Sequence, residues 1–156
     1  MSDFTPVPLT AEQERLTLAV SDMLQAAAAA RLLSQRVDPH DRRALETAIS
    51  VCYARPWLES NRSGRLKDKW LPAVGADRDL HKRLLELRHR TYAHSDPAGG
   101  RKASVQLGPE GVRFIGEEWV PVSRADLTAI AELCDRQAER FGQAVVALER
   151  AGKLGR

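Results

Sequence analysis

Arg88-His89-Arg90-Thr91-Tyr92-Ala93-His94-Ser95-Asp96 gathers two guanidiniums, two imidazoles, a phenol and a carboxylate into little more than two helical turns. A histidine can move a proton near neutral pH, and an arginine grips phosphate oxygens through a planar fork. The mixture points to handling of a phosphodiester without a metal. Arg78, Lys82, Arg83, Arg101 and Lys102 fall close by in the chain, as a patch for a polyanion requires. For charge alone, a solvated helix face is the simpler account. The formal charge of +3 and pI near 9.1 permit nucleic-acid binding without arguing for it.

These side chains need a scaffold, and the composition favours a helical one. Aromatics make up only 5% of the 156 residues, while Ala, Leu, Glu and Arg, all good helix formers, are plentiful. The length suits one domain, residues 1–156, with a substantial core. Thr10-Ala11-Glu12-Gln13 reads as a capping box opening a helix to about Gln35, with Ala26 to Ala30 as a close-packing face. Asp38-Pro39 starts a second helix carrying Leu45, Ile49, Cys52 and Tyr53, which Pro56 ends or kinks. Residues 59–72 read as an exposed connection with Trp70 and Leu71 as an apolar anchor.

Asp77 is expected to cap a third helix running to roughly Ala93, with Leu80, Leu84, Leu87 and Thr91 as its stripe, before Ser95-Asp96-Pro97 stops it. Gly108-Pro109-Glu110-Gly111 separates two short apolar runs, so a β-hairpin is expected at about 102–120. Ser123 to Asp126 then caps a last helix to about Arg150, with Leu127, Ile130, Ala131, Leu133, Cys134, Phe141, Val145 and Leu148 mostly on one side. The expected fold is mainly α: a four-helix up-and-down-type bundle with a short β-hairpin inserted between helices 3 and 4. The first and last helices, being longest, are expected to pack antiparallel.

On an ideal helix Leu87 and His94 are seven apart and nearly aligned, so His94 extends the apolar stripe. Arg88 lies roughly 120° around and about 9 Å along the axis from His94, too far to meet it in one regular helix. The two converge only if the helix unwinds or if a second copy brings its own pair by two-fold symmetry. Arg90 is better aligned with His94 and suits a second phosphate contact. As structural alternatives, His94 is a core histidine or a cation at a helix C-terminus, and Asp96 before Pro97 is a turn residue.

Arg88-x5-His94 on the third helix of a small bundle, with a polar residue after the arginine, resembles the Arg-x4–6-His signature of the HEPN superfamily. The phrase from Leu87 to Asp96 is similar to the version in HEPN-like abortive-infection proteins, and Tyr53-Ala54-Arg55-Pro56 resembles a second-helix segment of that group. The motif spans a tenth of the chain or less. The resemblance implies a homodimeric, metal-independent endoribonuclease of a toxin–antitoxin or phage-defence system, with both copies' motifs lining one cleft. His94 and Arg88 would be catalytic, with His89, Arg90, Asp96 and Arg55 contacting substrate. RNA is the implied substrate, the products carry 2′,3′-cyclic phosphate and 5′-hydroxyl ends, and a protein antitoxin is a further implied partner. Many toxin members carry a tyrosine two residues after the histidine, where a nucleotidyltransferase antitoxin modifies them. This chain has Asp96 there, which could instead hydrogen-bond His94 and set its tautomer. A rival reading is a non-catalytic module of the same fold that binds RNA, a nucleotide or a protein.

Other chemistries find less support. His40, His81, His89 and His94 form no zinc spacing, and Walker, dinucleotide-binding and G-x-S-x-G motifs are absent, so no metal and no cofactor is expected. Trp57, Trp70 and Trp119 read as packing anchors rather than base-stacking platforms. Cys52 and Cys134 are isolated, so buried free thiols are expected. The N-terminus lacks a basic region followed by an apolar run. Leu16 to Ala30, broken by Asp22, reads as too short for a membrane span, and a cytoplasmic location with no membrane partner is expected.

Overall fold

Thr10 sets the start of the first helix. In a computed structural model that describes residues 8–35, 37–59, 64–89, 104–109, 111–115 and 122–154, its hydroxyl accepts from the Gln13 amide at 3.2 Å. The Gln13 side chain accepts in return from the Thr10 amide at 2.8 Å. Helix α1 (Ala11–Ser34) carries Glu12 and Glu14 in its first turn and Arg31 in its last, the order its dipole favours. Leu16, Ala19, Met23, Ala26, Ala27, Ala30 and Leu33 are buried, whereas Ala28 faces outward. The alanine run is therefore a packing face on one side only.

Helix α4 (Arg124–Leu154) lies along that face and runs opposite to α1. Arg124 donates to the Ser34 carbonyl at 3.2 Å, and Arg31 pairs with Asp135, so the end of α1 meets the start of α4. Ala131 and Ala138 on α4 are buried with Leu127, Ile130, Leu133, Cys134 and Phe141. Small residues on both helices let the backbones approach closely. The apolar stripe fades at the far end, where Leu148 is exposed.

Helix α2 (Pro39–Ala54) also packs against α1. It stops before Pro56, because a proline disfavours helix at the preceding residue, and the chain continues as a 3₁₀ turn, Arg55–Trp57. Within α2, Glu46 is fully buried. Its carboxylate accepts from Arg42 Nε at 3.0 Å and from the Val122 amide at 3.2 Å, tying α2 to the entry of α4. A buried charge is retained only when paired in this way.

The connection after α2 is anchored as its apolar residues imply. Leu66 is buried, and a second 3₁₀ turn, Asp68–Trp70, sets Trp70 edge-on to Phe141 with ring centres 6.0 Å apart. Arg140 donates to the Lys69 carbonyl at 2.7 Å, and Lys69 pairs with Glu12 at 2.8 Å. Helix α3 (Ala76–Leu87) then starts at Gly75, whose φ of +110° suits only glycine, with no side-chain cap. The expected cap, Asp77, instead sits in the first turn and pairs with Arg136 of α4 at 2.8 Å. Glycine's backbone freedom starts the helix early enough to free Asp77 for that contact.

Leu80, His81 and Leu84 form the buried side of α3. His81 Nδ1 lies 3.0 Å from the Tyr53 hydroxyl, and Trp57 meets the imidazole edge-on at 5.0 Å between ring centres. The regular helix ends at Leu87, and Arg88 and His89 follow in a wider, π-type turn. Arg90 to Ala93, the rest of the expected third helix, lie outside the described residues.

The architecture is thus a bundle of four helices. Between α3 and α4, β1 (Ser104–Gly108) and β2 (Gly111–Ile115) run antiparallel with Val105 opposite Phe114. Most of the remaining 102–120 segment lies outside the described residues. Both cysteines are free and buried. By length and composition alone, the 24 residues of α1, which extend beyond Leu16 to Ala30 at both ends, suffice to cross a membrane. Half of that apolar window is buried inside the bundle.

Burial lowers the His81 pKa from 6.5 to about 4, with the nearby Arg78 and Lys82 charges acting in the same direction. The unfolded chain therefore binds a proton that the folded chain refuses. Stability from this site is complete above pH 6.5 and is lost as pH falls from there toward 4, by up to about 3 kcal/mol. The urea midpoint of wild type should fall across that window, and His81→Gln should flatten the fall. Parallel profiles for the two proteins would refute the assignment.

Candidate functional site

Arg88 is placed by the core. It follows His81 by seven residues and Leu84 by four, so it continues the buried side of α3 beyond the last apolar contact. Its backbone N–H donates to the Leu84 and Leu85 carbonyls. The side chain is half-buried, and among the described residues its guanidinium makes no ion pair or hydrogen bond. His89, next to it, is exposed.

The surroundings of Arg88 follow from the helix directions. The Tyr53–His81 contact joins the end of α2 to the first half of α3. Arg83 reaches Asp126 in the first turn of α4 at 3.3 Å, and Arg42 donates to the Val122 carbonyl at 3.2 Å. The C-terminus of α3, the N-termini of α2 and α4 and the C-terminus of α1 therefore share one end of the bundle. The widened turn at 88–89 also removes the basis for a straight-helix phase between Arg88 and His94. Arg90, His94 and Asp96 lie outside the described residues.

The basic cluster is thinner than its sequence suggests. Arg78 spends its fork on the Pro72 carbonyl, at 3.0 and 2.8 Å. Arg83 is paired with Asp126, an exposed bridge of small energetic weight. Of the members in α3, Lys82 is exposed and, like Arg88, has no ionic or hydrogen-bonded side-chain partner among the described residues.

Arg55 stands elsewhere. It follows the C-terminus of α2, at the opposite end of that helix from the Arg88 region, and its Nη1 lies 2.6 Å from Asp22 of α1. Asp22 is buried, and desolvation raises its pKa even though the Arg55 charge acts the other way. The pair sits in a groove of about 350 Å³, bordered by Arg15, Leu18, Ser21, Gln25, Pro56 and Leu66 among others. Gln25 is oriented twice, donating to Ser21 Oγ at 3.3 Å and lying 3.5 Å from the Cys52 thiol, which donates to its Oε1. The structure therefore separates Arg55 from Arg88 and joins it to an acid that the motif did not include.

Burial raises the Cys52 thiol pKa, and it pushes Cys134 up to about 12. Both stay protonated at neutral pH and are poor nucleophiles. Among the described residues no three His, Cys, Asp or Glu side chains converge as a metal would need. Asp22, Glu46 and His81 are polar groups whose burial sequence reasoning missed. Asp22 did leave a trace, as the acid interrupting the apolar run of α1, and Arg42 to Glu46 has the four-residue spacing of an intrahelical ion pair.

Comparison with protein-family models, curated proteins and solved structures returns no match for the chain. The HEPN resemblance thus rests on its quoted residues alone.

The two arginines should differ in what they do for stability. Arg55→Ala strands the buried Asp22 carboxylate and should cost about 1–2 kcal/mol, discounted for the exposed guanidinium. Arg88→Ala, with no partner to strand among the described residues, should cost less than about 1 kcal/mol. Urea denaturation measures both, and a larger loss for Arg88→Ala would reassign it to the structural framework.

Proposed function

We propose that the chain is a HEPN-like, metal-independent endoribonuclease in which Arg88 and His94 act on one phosphodiester. The observation that carries this reading is Arg88: a half-buried, permanently charged fork at the end of α3, directed by the core stripe and left without a partner among the described residues. Burial in part strengthens its hold on an anion, because less of the attraction is screened by water. His94, six residues on, supplies proton transfer.

As a base, His94 takes the proton of a ribose 2′-hydroxyl, and the 2′ oxygen forms a bond to the adjacent phosphorus. The 5′ oxygen of the next nucleotide leaves as its bond to phosphorus breaks and is protonated by an imidazolium. The products are a 2′,3′-cyclic phosphate and a 5′-hydroxyl. Arg88 neutralises charge on the phosphoryl oxygens, with His89, Arg90 and Asp96 orienting substrate or His94. A homodimer brings two such motifs to one cleft, and a protein antitoxin is a natural inhibitor of it. The same reading takes β1 and β2 as a hairpin insert that follows the motif and widens the surface offered to RNA.

A second reading is a non-catalytic binding module of the same fold. It is favoured by the internal engagement of Arg78 and Arg83, which leaves fewer cations for a polyanion. Incubating mixed RNAs with the protein and a chelator separates the two. The nuclease reading expects cyclic phosphate ends from wild type and a loss of about 10²–10⁴-fold in His94→Ala, with Arg88→Ala similarly impaired. Intact RNA with wild type, or equal cleavage by His94→Ala, would end it, and RNA retention without turnover would establish the module.

A further inference from the structure

We infer that the outward face of α1 pairs antiparallel with the same face of a second copy of this chain, at an interface separate from the cleft between motifs in the nuclease reading. Leu18, Leu24 and Leu32 are each about half exposed there, and they are three of the seven large hydrophobic side chains exposed among the described residues. Apolar surface is thus concentrated on this one helix. Charged residues make up 29% of the chain, yet the exposed positions of α1 from Thr17 to Ala28 carry none: Thr17, Leu18, Ser21, Leu24, Gln25 and Ala28. The one acid in that stretch, Asp22, is buried and paired with Arg55. A solvated helix face has no reason to exclude charge over about three turns, whereas a face covered by a partner does.

Spacing decides what covers it. Glu14, Leu18, Ser21, Gln25, Ala28 and Leu32 follow one another at intervals of four, three, four, three and four residues, the heptad seam along which two helices pack. An antiparallel pair with its two-fold axis near residue 23 sets Leu18 of each copy opposite Ala28 of the other, and Ser21 opposite Gln25. The large side chain meets the small one, and the amide meets the hydroxyl. Gln25 donates one amide hydrogen to Ser21 of its own helix at 3.3 Å and keeps the second for the copy opposite. At each end of the seam, Glu14, which has no ion pair or hydrogen bond among the described residues, comes beside Arg31 of the other copy. Leu24 lies to one side of the seam and meets Leu24 of the other copy across the axis.

On the opposite flank, the groove of about 350 Å³ beside Leu18, Ser21 and Gln25 leaves room for side chains of the second helix. Arg55 and Asp22 within it neutralise one another, and Arg15 has an interaction of its own. All these complementary features lie on one helix, and a two-fold axis uses each of them twice. A lipid surface matches less well, since α1 has no aromatic residue and Ser21 and Gln25 interrupt its leucines. Leu18 to Leu32 span about 21 Å, which places the contact in the small, reversible class that buries less than about 1,200 Å² in total. With the axis midway along α1, the Arg88 ends of the two copies point away from one another, so this pairing and the shared cleft succeed or fail separately.

Sedimentation equilibrium of the full chain tests the pairing, and wild type should self-associate with a dissociation constant below about 100 µM. Ala28→Arg puts a charge on the seam at an exposed helical position that tolerates arginine, and it should weaken association at least about 10-fold with the urea midpoint unchanged. A short bis-maleimide supplies the register. Leu24→Cys should be joined into dimers, whereas wild type, whose own cysteines are buried, should not. Ala28→Cys should also stay unjoined, because the antiparallel register holds its two copies about 15 Å apart along the axis. Arg88→Ala in the Leu24→Cys background should link as well as its parent. A chain that stays monomeric throughout, association undiminished by Ala28→Arg, or linking of Ala28→Cys as strong as that of Leu24→Cys would overturn the inference. A monomer that instead binds phosphatidylcholine vesicles, and loses them in Ala28→Arg, would overturn it in favour of a lipid surface.

Discussion

The buried contact between the Tyr53 hydroxyl and His81 Nδ1 fixes where α3 sits. That helix has only twelve residues and is too short to hold its conformation alone. It is kept by burial of Leu80, His81 and Leu84 and by ion pairs from Asp77 and Arg83 to α4. Two polar groups in an apolar interior are tolerated because each satisfies the other, and a misplaced α3 would leave both unpaired at the cost of their desolvation. The contact is therefore selective for one placement. The exit direction of Arg88 depends on it.

Buried polar groups recur at the other junctions of the bundle. Glu46 joins α2 to the entry of α4 through Arg42 and the Val122 amide. Asp22 joins α1 to the end of α2 through Arg55. Apolar packing of α1 against α4 supplies most of the driving force, since most of the large, fully buried side chains and the alanine face lie on these two helices, with Tyr53 and Ile49 added from α2. Packing alone does not choose among nearby registers of smooth, alanine-rich helices. Paired charges at the ends do, because a slip of one turn would separate them.

The same economy of charge distinguishes the two ends of the molecule. Near the start of α4, arginines are largely spent on carbonyls and carboxylates of the framework, and Arg88 stands apart from them. At the opposite end of α2, Arg55 is both structural and available, because its pairing with Asp22 uses one face of the guanidinium while the rest stays in contact with solvent.

Local signals read well from the chain. The Thr10 capping box, the proline starts and stops at Pro39 and Pro56, the alanine face and the long final helix are set by residues within a turn of one another, where sterics and nearby hydrogen bonds dominate. The start of α3 was misjudged at Asp77 because the turn geometry of Gly75 and the pull of Arg136 compete with the aspartate's capping tendency. At the candidate site, spacing set His94 rather than Arg88 on the extension of the core stripe, and the half-burial of Arg88 emerged only from the packed helix. The partners of Asp22, Glu46, His81, Arg78 and Arg83 were not legible either. Each lies on a different part of the chain, and which polar groups share a low-dielectric interior depends on how helices dock. Periodicity and caps thus define the helices, while the pairing of buried charges, and with it which arginines remain free to meet a ligand, arises only when distant segments pack and water is excluded between them.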